Sequence, residues 1–306
     1  AGFGADWAHA QSYPSKSMVI KTTSAGGGID SVARAVAAEI SASVGQSVVV
    51  ENRPGILLAT EVARAAPDGY MLLVWGGGLW LGPLLNNVTE FDAIRDFASI
   101  ATLVRTPNIL MVHPSLPVKS VADLVKLAKA KPGELNYSSG PTGTSSHLAG
   151  ELFKSLAGVE VTRIAYKTQG QHTADFVAGR IQMSFGSGSG WGPQVKANKL
   201  RALATGGSGK SPLFPDLPTV AETLPGFVSE SLVGFWAPAK TPNAIVRRLN
   251  QEAVNAVGRP LVRERVLNDG GEPVGGTPEQ LTDMMKSDIA RVSKMIKDGA
   301  IKPGES

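Results

Sequence analysis

The sequence predicts an α/β protein built as two lobes, each a mostly parallel sheet flanked by helices. Three observations predict it. Strand-like runs alternate with helical patterns almost throughout, which means βαβ units and largely parallel pairing. The alternation comes in two series, separated by a pair of extended segments around Pro107. The last stretch holds helices with no strands of their own to cover, so the chain has to return to the first sheet.

Taken in order, Met18–Lys21 reads as a strand and Ile29–Ser43 as a helix with Val32, Val36 and Ile40 on one face. Ser47–Glu51 is a strand, Leu58–Ala66 a helix and Tyr70–Trp75 a strand. Phe97–Val104 and Asn108–Val112 are two extended segments broken by Pro107. The second series runs through a helix at Val121–Ala130, a strand at Leu135–Ser138, a helix at Ser146–Leu156 and a strand at Val159–Ile164. A helix at Thr173–Ala178 and strands at Ile181–Phe185 and Leu200–Ala204 complete it. Proline-rich stretches follow, then helices at Ala244–Val257, Pro260–Asn268 and Pro278–Lys297. Thr277 or a neighbour caps the last of these, with Glu279 nearby. Two crossings, near Val104–Asn108 and near Ser231–Trp236, give lobe one residues 13–105 and 233–306 and lobe two residues 106–232. A doubly connected pair of lobes is a hinge-and-cleft design.

Composition narrows the function. The chain has 306 residues, 42% of them apolar and 18% charged, which suits packed cores. No apolar run is long enough to span a membrane. The formal charge of +4 comes from scattered Lys and Arg, with no basic stripe, so a nucleic-acid partner is not expected and a weak pull on small anions is. The absence of cysteine excludes disulfides, thiol catalysis and Cys-based metal sites. "AHAQ" at Ala8–Gln11 has the small-x-small form of a signal-peptidase site, so residues 1–12 read as a leader remnant or a tag.

The informative local feature is "TTSAGGGIDSVARAVAAEI", beginning at Thr22. Glycines let backbone amides approach a ligand, and a helix start leaves free N–H groups and partial positive charge. Together they suit an anion; the alternative is a plain tight turn with Asp30 as an early-helix charge. The dinucleotide fingerprint fails because Ser31 stands where it needs glycine. "NYSSGPTGTSSHLAGELF" (Asn136–Phe153) repeats the device in the second series. Two such loops, one per lobe, would hold a ligand that is anionic at both ends.

Other motifs fall away. "ATGGSGKS" at Ala204–Ser211 resembles a phosphate-binding loop, but Pro212 and Pro215 break the helix that must follow. "GSGSG" at Gly186–Gly190 has Gly188 where a nucleophile elbow needs serine. The four histidines, His9, His113, His147 and His172, make no metal pair at helical spacing. Only Asp30 and His147 are candidates for acid–base work, and His147 reads better as a hydrogen-bonding residue at a helix start. Aromatics are 6% of the chain. Trp75 and Trp80 flank a glycine run at a strand end, Trp191 follows the "GSGSG" loop, and Trp236 lies at the second crossing. Ligands bind outside the carboxyl ends of strands in open α/β sheets, so each indole either faces a cleft or packs under loops.

Nine stretches occur in the order of one family: "YPSKSMVIKTTSAGGGIDSVAR", "VVVENRPG", "ARAAPDGYMLLV", "DFASIATL", "GELNYSSGPTGTSSHLAGELFK", "AYKTQG", "KLRALAT", "FPDLPTVAE" and "FWAPAKTPNAIVRRLN". From about Tyr13 onward the chain resembles the Bug (TctC-type) periplasmic solute-binding receptors of tripartite tricarboxylate transporters. The resemblance implies a two-lobe Venus-flytrap fold of the periplasmic-binding-protein type and no enzyme activity. It implies no cofactor and no bound metal, a periplasmic location, a monomer, and membrane permease subunits as partners. It implies carboxylate ligands held by backbone and hydroxyl groups of the loops Ser24–Asp30 and Ser139–Ser146. The family's Tyr-(Lys/Arg)-Gly segment falls on Tyr166-Lys167-Thr168, its glycine replaced, with Gln169 next.

Departures from the family pattern bear on the ligand. Ile56–Thr60 replaces Gly-Asn-Ile-Gly, Gly76–Trp80 replaces a polar loop, and Gly186-Ser187 stands where amino-acid receptors often carry Asp. The frequent Trp near the second crossing is absent at Ser231–Gly234, with Trp236 close by. Losing an acid and gaining small residues favours a broad, flat ligand without an amine, such as the aromatic dicarboxylate terephthalate. One carboxylate is expected on each loop and the ring on Trp80 and Gly186–Gly188. The expected contacts in lobe one are Thr23, Ser24, Ala25, Gly26, Gly27, Gly28, Ile29, Asp30, Trp80 and Trp236. In lobe two they are Ser139, Gly140, Gly143, Thr144, Ser145, Ser146, Tyr166, Gln169, Gly186 and Ser187. The alternatives are an aliphatic di- or tricarboxylate, a carboxylate-processing enzyme, and a ligand-dependent sensor partner.

Overall fold

The computed structural model describes residues 13–304 apart from 24, 54, 87–89 and 142; the side chains of Gln169 and Ser189 also fall outside the description. The expected leader remnant at residues 1–12 and the expected contact Ser24 therefore lie outside the described residues.

The first half runs β1 (Met18–Thr22), α1 (Gly28–Val44), β2 (Val48–Asn52), α2 (Gly55–Ala63), β3 (Met71–Gly76) and α3 (Gly78–Asn86). β1 pairs in parallel with β2 and β3. α1 buries Val32, Val36 and Ile40 against them, the stripe its spacing predicts. β4 (Phe97–Val112) leads to the second half: α4 (Val121–Ala130), β5 (Asn136–Ser139), α5 (Ser145–Ala157), β6 (Thr162–Ala165), α6 (Gln169–Val177), β7 (Met183–Ser187), α7 (Gly188–Lys196) and β8 (Arg201–Thr205). β5 pairs in parallel with β6 and β7. The chain returns through β9 (Glu230–Pro238) to α8 (Asn243–Gly258), α9 (Pro260–Asn268), β10 (Glu272–Pro273) and α10 (Pro278–Lys297).

Hydrogen bonds join the strands in the order β2-β1-β3-β9-β4-β7-β5-β6, with β8 and β10 also on β4. The sheet is mixed. Its outer pairs are parallel, whereas β9 is antiparallel to β3 and β4, and β4 to β7, β8 and β10. Pro107 does not interrupt β4, contrary to expectation. It sits where the strand changes partners: the residues up to it pair with β9, and Asn108 onward pair with β7. A residue without an N–H costs least at such a junction.

Two helices, α3 and α7, were not legible, because glycine and an internal proline (Pro83, Pro193) lower their propensity. Packing supplies what propensity lacks: Leu79 and Trp80 of α3 and Trp191 of α7 are buried. No helix follows Ser211, which instead bridges to Phe214. The last helix is capped by Thr277, whose hydroxyl accepts the Gln280 amide while Gln280 accepts the Thr277 amide, so Gln280 rather than Glu279 completes the box.

The end of the chain also differs from expectation. Leu281 and Met285 of α10 pack with Leu58, Trp80 and Trp236 beside the first half. Val292, Met295 and Ile301 instead join Leu110, Tyr137 and Phe153 in the core of the second. A helix of 20 residues is about 30 Å long, enough to reach from one core to the other, so residues 233–306 do not pack with the first half alone.

Candidate functional site

Parallel strands carry helix starts at their carboxyl ends, β1 to α1 and β3 to α3 in the first half, β5 to α5, β6 to α6 and β7 to α7 in the second, and the two sets run in opposite directions, so their carboxyl ends face each other. The first amides of a helix have no intrahelical acceptor. At the carboxyl ends of these strands, several sets of unpaired donors therefore converge.

In the second half they line a cavity of about 370 Å³. Ser145 and Ser146, the first two residues of α5, lie on its wall, as do Gly140 and Thr144. Thr168 and Ser187, which cap α6 and α7, complete the circle. The loop is held rigidly. Ser146 Oγ accepts the Gly140 amide at 3.1 Å, and Thr144 Oγ1 donates to Pro141 O at 2.8 Å. Gly143, at φ +84°, donates its amide to His147 Nδ1 at 3.1 Å. Ser187 Oγ accepts the Gly190 amide at 3.3 Å.

Beneath the loop, Arg163 donates through Nε to Ser139 Oγ at 2.9 Å and through Nη2 to Gly140 O at 3.0 Å. Its charge adds to the positive potential of the helix starts. Lys167 stands on the cavity wall. Tyr166 lends its ring rather than its hydroxyl: the hydroxyl donates to Asp175 at 3.0 Å, and the ring stacks on His172 at 5.0 Å. Trp191 packs edge-on against His172 at 4.6 Å and shows its margin to the cavity beside Gly186.

His147 and His172 are buried, and both are held neutral, with pKa values lowered to about 4. Burial is the main cause for each, reinforced at His147 by the positive charge of Arg163. A neutral ring is what lets His147 accept from Gly143, so it is a loop-holding residue rather than a base. Both groups bind a proton more readily in the unfolded chain, where the ordinary value is 6.5. Stability is therefore full above that value and is lost as pH falls toward 4. Going from pH 7 to about pH 6 should remove roughly 1.5 kcal/mol for the two together. Thermal unfolding should show it as a lower midpoint, and a midpoint unchanged over that interval would contradict the buried neutral assignment.

The first half contributes a cavity of about 410 Å³, walled by Gly28 and Ile29 of α1, by Trp75, and by Gly76–Gly78 at the start of α3. Thr106, Ser187 and Ser231 line both this cavity and the one on the second half, so the two meet over the crossing strands. A third cavity, also of about 410 Å³, has Gly77 and Gly78 on one side and Gly143, Thr144 and Ser145 on the other. Glycine-rich turns from the two halves thus face a common space.

Several expected contacts are placed elsewhere. Asp30 is 4% exposed and turned inward. It accepts from the Gly26 amide at 2.9 Å, Arg34 Nε at 3.1 Å and Asn52 Nδ2 at 2.8 Å. It shapes the loop, and as an acceptor it would repel a carboxylate. Thr23 offers its carbonyl to Asn52; Ala25, Gly26 and Gly27 are exposed and do not line these cavities. Ser139 is fully buried on Arg163. Gln169 opens α6, its side chain outside the described residues.

Of the two tryptophans chosen from sequence, Trp236 lines none of these cavities and is corrected, whereas Trp80 borders the third. Trp236 is fully buried, and Trp80 is 2% exposed, with Nε1 donating to Asp288 at 3.1 Å. They pack on each other at 6.1 Å, because both sit under α10, the helix that the sequence could not place. Trp75, half-buried on the cavity wall, is the indole that the sequence reading passed over. Its position as the penultimate residue of β3 was the available signal. Thr106 and Ser231 were also missed, since nothing in their neighbourhoods marks a cavity floor.

A doubly crossed α/β chain whose helix starts converge on a cleft between its two halves is suited to hold a small anionic solute. Residues 32–301 match the family described as tripartite tricarboxylate transporter family receptor, and the chain belongs to that family. It is a solute-binding receptor and not an enzyme, with the mixed-sheet fold of the periplasmic binding proteins. A Pseudomonas sp. (strain P51) protein named "UPF0065 protein in tcbD-tcbE intergenic region" is 34% identical over 276 residues, which is 89% of this chain and 82% of the relative. The structure titled "R. palustris Rpa4515 with adipate" is 33% identical, with a TM-score of 0.72 over 95% of this chain and 99% of that one. "MatC (Rpa3494) from Rhodopseudomonas palustris with bound malate" is 28% identical, with a TM-score of 0.66 over 93% and 100%.

Proposed function

We propose that the protein captures an aromatic dicarboxylate of the terephthalate type and delivers it to membrane permease subunits from the periplasm. Lobe one comprises residues 13–105 with most of 233–306, and lobe two residues 106–232. They close on the ligand about the crossings at Arg105–Asn108 and Glu230–Leu232. The observation that carries this reading is the convergence of α1 and α3 starts on one side of the cleft and α5, α6 and α7 starts on the other. One carboxylate sits on the amides of Ser145 and Ser146 beside Lys167. The second meets the amides of Gly28 and Ile29.

Each charge-assisted contact contributes roughly 1.5–3 kcal/mol. Two of them with ring burial reach the roughly 8 kcal/mol of a micromolar complex or better. Because the ligand touches both lobes only when they are shut, binding favours the closed form. Cavity walls that carry glycines together with the indoles of Trp75, Trp80 and Trp191 favour a flat ligand. An aliphatic dicarboxylate is the second reading, supported by the adipate and malate of the two similar structures.

The test is a thermal-shift screen of benzene-1,4-dicarboxylate, adipate, malate and citrate, followed by calorimetry. Benzene-1,4-dicarboxylate is expected to bind at least about tenfold tighter than adipate, a difference of about 1.4 kcal/mol. Tighter binding of adipate, malate or citrate would transfer the assignment to aliphatic acids.

A further inference from the structure

The geometry points to Trp75 as the residue that selects aromatic over aliphatic carboxylates, an assignment that rests on the ligand class proposed above. Among the described tryptophans it is the one not buried: Trp80, Trp191 and Trp236 are 2%, 3% and 0% exposed. It stands at the carboxyl end of β3, on the cavity wall, with Gly28 and Ile29 of α1 lining the same space. A ring resting on this indole would therefore present its carboxylate to the free amides of that helix start.

The seat of the indole is made of glycine. A Cβ built on Gly78 would lie 3.0 Å from Trp75 Cζ2 and 3.2 Å from Cε2, and one built on Gly55 would lie 3.9 Å from Cζ2. The backbone of the α3 and α2 starts thus supports the ring directly, with no side chain between. Gly78 has no left-handed φ, so alanine fits its backbone and only the indole has to yield. The Trp75 Nε1–H has no hydrogen-bond partner among the described residues, which leaves a donor on the same platform for a carboxylate oxygen. Aromatic rings prefer an aromatic surface of this kind through offset or edge contacts, and a flexible methylene chain gains no such term.

Calorimetry on the full chain with benzene-1,4-dicarboxylate and with adipate separates the outcomes. Trp75→Leu should weaken the aromatic diacid by roughly tenfold and adipate by less than about threefold, with the unfolding midpoint retained as the check on folding. Trp75→Phe keeps a ring and loses the donor, and should fall between Trp75→Leu and the parent. Gly78→Ala, which displaces the indole without removing it, should weaken the aromatic diacid selectively. Unchanged aromatic affinity in both Trp75→Leu and Gly78→Ala, or equal losses for the two ligands, would overturn the assignment while leaving the receptor reading intact. A parent protein that binds adipate and not the aromatic diacid would remove the ligand class itself, and the role of Trp75 with it.

Discussion

Gly186→Ala should abolish ligand capture while the molecule still folds. A Cβ at position 186 would lie 2.2 Å from Trp191 Nε1 and 2.5 Å from Cδ1, distances that no packing tolerates. Trp191 has nowhere to retreat. It is 3% exposed and wedged between His172, at 4.6 Å, and Phe176, at 5.5 Å. His172 in turn stacks on Tyr166. The relief open to the indole is outward, into the 370 Å³ cavity that Gly186 and Trp191 both line. Such overpacking costs about 1–3 kcal/mol of stability, a drop of only some degrees for a chain of this size. The cavity, however, is filled by its own wall, and affinity should fall by roughly 100-fold or more, about 2.7 kcal/mol. Calorimetry reads the affinity and thermal unfolding the stability. Parent-like binding would mean that the ligand does not use this cavity.

Asp30→Ala should be the more damaging change to the fold. The carboxylate is buried and receives three donors: the Gly26 amide, Arg34 and Asn52. Burial by itself would raise its pKa. The hydrogen bonds from Asn52, Gly26 and Arg34, with the charge of Arg34, outweigh burial and hold it below the ordinary 3.8. Removing it orphans the Gly26 amide and takes one of two partners from each of Arg34 and Asn52 Nδ2, at about 2–4 kcal/mol. Gly26, at φ +80°, is then free to leave the turn that aims Gly28 and Ile29 at the cleft, so affinity should fall as well. The sign of the pH dependence follows from the lowered pKa. The stabilisation is full above about 3.8 and is lost as pH falls below it. Acid unfolding of the parent should therefore steepen below pH 4, and Asp30→Ala should be flatter there. A variant with parent stability at pH 7 and the same acid limb would refute the role given to Asp30.

The parts of the site that were legible are those written in local chemistry. The glycine-rich corner before α1 and the serine-rich corner before α5 announce free amides wherever they occur, and Gly28, Ile29, Ser145 and Ser146 do line the shared space. Direction was not legible. Asp30 reads as a cleft residue from its place in the loop, but its carboxylate turns back to close that loop. Ser139 and Tyr166 likewise have polar atoms committed to Arg163 and Asp175. Between Trp75 and Trp80 the sequence offers only the place of Trp75 near the end of β3. The decision lies with α10, about 200 residues away, whose Asp288 takes the Trp80 indole out of solvent.

The sequence by itself determined the alternation of strands and helices, the return of the chain through a second crossing, and the anion-seeking corners at strand ends. These follow from hydrophobic period, glycine placement and unsatisfied amides, all properties of neighbouring residues. Only the tertiary structure decided that Pro107 sits inside a 16-residue strand, that α10 straddles both cores, and which described indole stays partly exposed. Those outcomes depend on which distant surfaces compete to cover the same apolar area. That competition is settled by packing between segments far apart in the chain, so no local pattern records it.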